Sequence, residues 1–395
     1  MPTSQAYTDF VPVLAGKGDF MHGNHSILCI TPPHMLEQIV RNGSPEQRSL
    51  AQQTINASTD LRRKRITVGV TLRTKLPIED IVGKQRTIYD AQYGSQLPGT
   101  KIRGEGDPAT SDPAVNEAYD GSGSTYDMFF DIYGRNSIDN HGLKLNSTVH
   151  FQKGYDNAFW DGQQMVYGDG DEDLPPEQQL FNRFTRSLDM IAHELTHGIT
   201  QYEANLDYFR QPGALNESMS DVFGSLVRQH HLQQTADQAD WIIGAGLFTA
   251  NVNGVGIRSM KAPGTAYDDP VLGKDPQPAH MNNYVSTTDD NGGVHINSGI
   301  PNHAFYVVSR ELGGYAWEKA GLIWYKTLTE KLTTTSAFID AANLTYQTAG
   351  EIFGTGSIEQ KAIQTGWAEV GIAIGSPSDN NEGCFTTIMR AMGLT

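Results

Sequence analysis

The chain has 395 residues, 38% hydrophobic and 19% charged, a globular balance that excludes a disordered or fibrous protein. Lys and Arg number 29 against 45 Asp and Glu, a formal charge of −16 that leaves no basic face for nucleic acid. Its two cysteines, Cys29 and Cys384, exclude a disulfide scaffold, and no apolar run is long enough to cross a bilayer.

Residues 1–26 show little periodicity and read as a flexible arm. After Pro32 and Pro33, Met35, Leu36, Ile39 and Val40 fall at helical spacing. A second helix is predicted from Ser44, with Pro45 at its first position. Arg62–Arg65 reads equally as an exposed loop open to processing or as a solvated basic face, and T-V-G-V-T-L at 67–72 alternates. Residues 86–185 mix Gly, Asp, Tyr and Asn with short apolar pieces, which predicts a β-rich lobe with one helix near 113–133. Helical periodicity dominates 186–374, and 375–395 reads as a tail. The fold class is α+β.

The segment D-M-I-A-H-E-L-T-H-G-I-T holds H-E-x-x-H at His193, Glu194 and His197. Leu188, Ile191, Leu195, Ile199 and Tyr202 form an apolar helical stripe, and both histidines project away from it. Four residues apart, they stack on one helix face and can share a zinc ion. Glu194 lies off their common line, placed to reach a water at the metal rather than the metal itself. A third ligand is needed. In G-A-L-N-E-S-M-S-D, Glu217 and Asp221 oppose the stripe of Leu215, Met219, Val222 and Leu226. Alone, two such acids read as a solvated face. Behind an H-E-x-x-H they complete a His₂Glu set: Glu217 as ligand, Asp221 accepting a histidine ring N–H, and Asn216 supporting beside it.

With these motifs go Y-D-N-A-F-W at 155–160, M-V-Y-G-D-G-D at 165–171, I-R-S-M at 257–260 and D-N-G-G-V-H-I-N-S-G at 290–299. Together, over residues 86–374, they resemble the thermolysin family of zinc metallopeptidases. The resemblance implies two lobes, β-rich and helical, with the H-E-x-x-H helix at the cleft between them. It implies a zinc endopeptidase with Glu194 as general base and a water at zinc as nucleophile. His295, oriented by Asp290, and Tyr208 would stabilise the oxyanion. Asn157, the Ala158 backbone and Arg258 would hold an extended protein or peptide substrate. Phe184, Met190, Ile243 and Ile257 match the pocket for the residue after the cut, so cleavage is expected before bulky apolar residues.

Where family members hold two calcium ions beside the active site, Asp189 and Asp240 are kept. Arg228, Ile242, Ala245 and Gly246 replace acids, so the double calcium site is expected to be absent. Calcium could sit instead on G-D-G-D-E-D at 168–173, although a solvated loop is the simpler reading, and D-L-P-P-E-Q-Q at 173–179 reads as a surface insertion. Residues 27–80, with P-P-H-M-L at 32–36, resemble the short propeptide of protealysin-like members. They would act as an intramolecular inhibitor of a zymogen, with the junction between about 60 and 86. His22, His25 and Cys29 form a weaker candidate set for blocking the zinc. The enzyme is expected to be monomeric and secreted, although no standard signal peptide is visible, with the cytoplasm as the alternative. A silent zinc-binding protein, or an exopeptidase on the same site, are the rival readings.

Overall fold

Capping and proline placement fix where the first helices begin. A computed structural model of the chain describes residues 28–68 and 82–375. Strand β1 (Leu28–Cys29) leads into α1 (Pro33–Asn42), which opens on proline and buries Met35, Leu36 and Ile39. At the start of α2 (Pro45–Val68), the Ser44 hydroxyl accepts from the Gln47 N–H at 3.3 Å. The Gln47 carboxamide oxygen in turn accepts from the Ser44 N–H at 2.7 Å, a reciprocal cap that satisfies two terminal donors. The helix runs through Arg62–Arg65, so that stretch is helical and not a loop. Residues 69–72 of the alternating segment, and part of the expected propeptide junction, lie outside the described residues, as do His22 and His25.

The β-rich lobe contains β2 (Arg86–Asp90), β3 (Thr100–Gly104), α3 (Pro113–Tyr133), β4 (Leu145–Val149), β5 (Ala158–Trp160) and β6 (Met165–Tyr167). The predicted helix at 113–133 is present, its Asp112 carboxylate accepting from the Ala114 N–H at 2.9 Å. One six-stranded sheet has the order β1-β5-β6-β4-β2-β3. The β2–β4 and β4–β6 pairs are parallel; the others are antiparallel. Strand β1 is thus an added edge on β5, pairing Leu28 with Trp160 and Cys29 with Phe159.

The second lobe packs α4 (Leu188–Tyr202) against α5 (Arg210–Leu232), followed by α6 (Asp290–Asn297), α7 (Gly299–Leu312), α8 (Ala320–Glu330), α9 (Phe338–Phe353) and α10 (Ile358–Glu369). Helical periodicity does not hold throughout. Residues 233–289 form loops and short strands, including the paired β7 (Ile242–Ile243) and β8 (Arg258–Ser259). Closely spaced glycines and prolines, as in G-I-R-S-M-K-A-P-G and D-P-Q-P, break any helix there. Asp169 and Asp171 are also not solvated: both are buried. Asp169 meets His150 at 2.7 Å, and Asp171 accepts from the Leu180 N–H at 2.7 Å and the Phe181 N–H at 3.1 Å. Both carboxylates are therefore occupied by protein partners. The 173–179 segment is a largely exposed turn, as read from the sequence.

Candidate active site

Two buried helices face each other to make the site. On α4 every residue from Asp189 to Thr200 is buried, so His193 and His197 point into the protein and not into water. Across from them, Glu217 and Asp221 on α5 have no exposed surface. The solvated-face reading of these acids fails because α4 covers them.

The three proposed ligands converge. Their donor atoms all lie within 4.8 Å of one another. His193 Nε2 and His197 Nε2 are 3.0 Å apart, and the Glu217 oxygens stand 3.5 Å from His193 Nε2 and 3.4 Å from His197 Nε2. A tetrahedral ion with bonds of ~2.0–2.1 Å separates its ligand atoms by ~3.3 Å, so the set fits zinc. The outer ring nitrogens are held. His193 Nδ1–H donates to Asp221 Oδ1 at 2.8 Å. His197 Nδ1 meets Asn216 Oδ1 at 2.8 Å and Ser220 Oγ at 2.9 Å. Each Nε2 is thereby turned inward. Glu217 Oε2 is buried without a hydrogen-bond partner, as a group awaiting a cation would be.

Charge in this pocket is strongly coupled. Burial works against protonating His193, but Asp221 and Glu217 outweigh it and raise its pKa to about 9. His197 is shifted down, chiefly by burial. Burial pushes Glu194 up to about 8. To hold a dication, His193 would have to give up the proton on Nε2, and the added charge would favour the ionised form of Glu194. Glu194 Oε2 accepts from the Trp160 N–H at 2.9 Å, while its Oε1 is buried without a partner. Glu194 therefore sits at the cleft, off the ligand set, as its position in the motif requires.

The remaining site residues assemble around this centre. His295 Nδ1–H donates to Asp290 at 2.6 Å, and the His295 N–H donates to the same carboxylate at 2.8 Å. This is achieved by a left-handed run with φ of +51° at Asp290 and Asn291, +84° at Gly292 and +79° at Gly293. The two glycines make the run sterically affordable; Asp290 holds such a φ only with local strain, which structures retain at functional sites. Tyr208 Oη lies 3.2 Å from His295 Nε2 and donates to Glu217. Arg258, fully buried, grips Asp221 with two bonds of 2.7 and 2.8 Å. Met190, Ile243 and Ile257 are buried around Gly244, and Phe184 is buried on a turn that packs against α4.

The cleft also holds the chain's own residues 28–31. The Ile30 N–H donates to the Ala158 carbonyl at 3.2 Å, and the Thr31 N–H donates to Asn157 Oδ1 at 2.9 Å. Arg258 Nη1 lies 3.4 Å from the Ile30 carbonyl, and His295 Nε2 lies 3.0 Å from the Cys29 carbonyl. Sequence reasoning placed Cys29 near the zinc only as a thiol in a blocking set, whereas here its carbonyl faces His295. It did not identify Ile30 and Thr31 as cleft residues, nor Ser220, nor Asn302, whose amide donates to Asp221 Oδ2 at 2.8 Å. Ser220 carried a local signal, one helical turn after Glu217. At Arg228, both guanidinium nitrogens meet Asp240 at 2.8 Å, beside buried Asp189, whose carboxyl is pushed up chiefly by burial with Arg228 opposing.

Comparison with known proteins agrees with this geometry. The model of the thermolysin metallopeptidase catalytic domain matches residues 63–201, and that of its alpha-helical domain matches 204–372. The chain belongs to the thermolysin metallopeptidase family. It is a zinc endopeptidase, and His193, His197 and Glu217 are the metal-competent group. The match begins at residue 63, earlier than the motifs alone indicated. The chain is 51% identical to an extracellular metalloprotease of Pectobacterium carotovorum subsp. carotovorum over 351 residues, 88% of this chain and 97% of that one. It is 37% identical to a thermolysin of Alicyclobacillus acidocaldarius subsp. acidocaldarius over 294 residues, 72% of this chain and 50% of that one. Among solved structures, the precursor of protealysin, a metalloproteinase from Serratia proteamaculans, superposes with a TM-score of 0.79 at 50% identity, covering 88% of this chain and 100% of that one.

Glu217→Ala is expected to weaken zinc binding by more than about 100-fold, more than the loss of a supporting residue costs. Zinc content after dialysis against a chelator checks this; retention equal to wild type removes Glu217 from the ligand set.

Proposed function

We propose that this endopeptidase is made latent, with residues 27–80 as an inhibitory pro-segment and 86–185 and 186–374 as the two catalytic lobes. One observation carries the reading: residues 28–31 occupy the cleft through Asn157, Ala158 and Arg258, the groups expected to hold substrate, and meet His295, the expected oxyanion donor. An extended peptide added to the β5 edge is the usual way a sheet recruits a strand. The same contacts set substrate direction, with the Cys29 carbonyl standing where the carbonyl under attack would lie and Ile30 as the residue after the cut. An isoleucine there agrees with a pocket of Phe184, Met190, Ile243 and Ile257, and with cleavage before bulky apolar residues.

In the working enzyme His193, His197 and Glu217 would hold zinc, which when bound would supply a Lewis acid for the carbonyl and lower the pKa of water. Glu194 takes the proton of the attacking water and delivers it to the departing amine. His295 and Tyr208 donate to the oxygen as negative charge builds on it. Asp290 fixes the ring of His295 with its Nε2 toward the cleft. Asp221 and Asn216 keep the two ligand rings in place. The substrates are proteins or peptides, and the enzyme works as a monomer outside the cell, where the Pectobacterium relative is named as acting.

Arg228 takes the place of a cation. Its guanidinium, tied to Asp240 and adjacent to Asp189, supplies internally the charge that a calcium ion supplies from solution.

Docking of the pro-segment is expected to depend on acidity through His34. Its Nε2 meets Tyr267 Oη at 3.1 Å, its Nδ1 is buried without a partner, and burial lowers its pKa to about 4. A released segment regains a value near 6.5, so docking is intact above that pH and weakens as pH falls toward 4. Buried Asp156, raised by burial and by Asp171, acts with the opposite sign, favouring the closed form at low pH.

Glu194→Gln should keep zinc and lose nearly all turnover, at least about 10²–10⁴-fold in kcat; a kcat near wild type refutes the general-base role. The wild-type Tm should move by less than about 2 °C in EGTA, whereas a large fall would show that calcium is structural. Activation of the full chain should accelerate roughly 30-fold between pH 7.5 and pH 5 through His34. His34→Gln should flatten that rise; superimposable profiles for the two proteins would show that His34 is not the sensor.

A further inference from the structure

Four elements meet on one carboxylate. Asp221 Oδ1, on α5, accepts from His193 Nδ1 on α4 at 2.8 Å and from Arg258 Nη2 on β8 at 2.7 Å. Its Oδ2 accepts from Arg258 Nε at 2.8 Å and from Asn302 Nδ2 on α7 at 2.8 Å. Asn302 has no exposed surface, and its own Oδ1 is buried without a hydrogen-bond partner. The orientation of this amide is forced, because turning it over would set its oxygen against a carboxylate oxygen. The side chain therefore gives one hydrogen bond and leaves one polar atom unsatisfied in the interior. An apolar residue of similar size would shed the unsatisfied oxygen while giving up one hydrogen bond to Asp221, which Arg258 still holds by both edges, so stability is a weak reason for an asparagine here.

Its donor matters for what it opposes. Arg258 holds Asp221 by both edges and also reaches the Ile30 carbonyl in the cleft at 3.4 Å. Any pull on the guanidinium from a bound peptide is passed to the carboxylate, and from there to the ring of His193. Asn302 ties the same carboxylate to α7, an element that neither Arg258 nor His193 belongs to.

We propose that Asn302 is a positioning residue: through Asp221 it keeps the His193 ring turned toward the metal when the cleft is occupied. This rests on the reading of His193 as a zinc ligand. The test measures zinc affinity of the full chain by competition with a chromogenic chelator. Wild type is compared with Asn302→Leu, with the smaller Asn302→Ala, and with Ser309→Ala, which removes from the same helix a buried hydroxyl that likewise has no hydrogen-bond partner. Both Asn302 variants should bind zinc about 10–100-fold more weakly, the range usual for groups that support a ligand. Ser309→Ala should stay within about twofold of wild type. The Tm of metal-free Asn302→Leu should stay close to that of wild type, since the unsatisfied oxygen and the hydrogen bond to Asp221 go together. Unchanged affinity in both Asn302 variants overturns the proposal. So does a weakened affinity confined to variants whose metal-free Tm also falls, which would mark Asn302 as packing. Failure of wild type itself to bind zinc would bring down the underlying ligand reading, and the proposal with it.

Discussion

Two imidazole nitrogens can stand 3.0 Å apart only with something positive between them, a proton or a metal ion. This constraint organises the C-terminal lobe. The rings cannot relax apart because their outer nitrogens are anchored, His193 to Asp221 and His197 to Asn216 and Ser220. The anchors cannot relax because α4 and α5 pack along their length and exclude water from both faces. A fold that buries His193, His197, Glu194, Glu217 and Asp221 together is costly without a cation, and a dication settles most of that cost at once.

The second organising feature is an edge. Without β1, strand β5 would border the sheet, with its open hydrogen-bonding groups facing the cleft beside Glu194. Exposed edges are hazards in most proteins. On the proposed reading this edge is the working surface, and the chain's own N-terminal segment covers it. Covering and working use the same donors and acceptors, so latency requires no distortion of the catalytic groups.

Much of the site was legible because it is local. H-E-x-x-H and N-E-S-M-S-D are each one helical turn, and an i, i+4 spacing states by itself that two side chains share a face. The helix at 113–133 was expected as a single helix in a β-rich stretch, and it is there. What spacing cannot show is which faces are covered. Glu217 and Asp221 look like a solvated pair until α4 is laid over them, and Asp169 and Asp171 look like loop acids until His150 and the 180–181 backbone close on them. Asn302 and His34 were missed for the same reason: each gains its meaning from a partner more than 80 residues away, Asp221 and Tyr267 respectively.

Beyond His34 and Tyr267, two footholds of the proposed pro-segment stand out. One is the two-residue strand in the cleft; the other is the flank of α2, where Gln47 reaches the Gln178 carbonyl, Thr54 accepts from the Asp156 N–H, and Ser58 meets Tyr155. A short strand alone is a weak tie, but a second foothold keeps it near its groove at high effective concentration. Severing the connection to the catalytic lobes would therefore not by itself liberate the enzyme. The cut piece would linger as a non-covalent partner, and dilution or digestion of that piece would govern when hydrolysis begins.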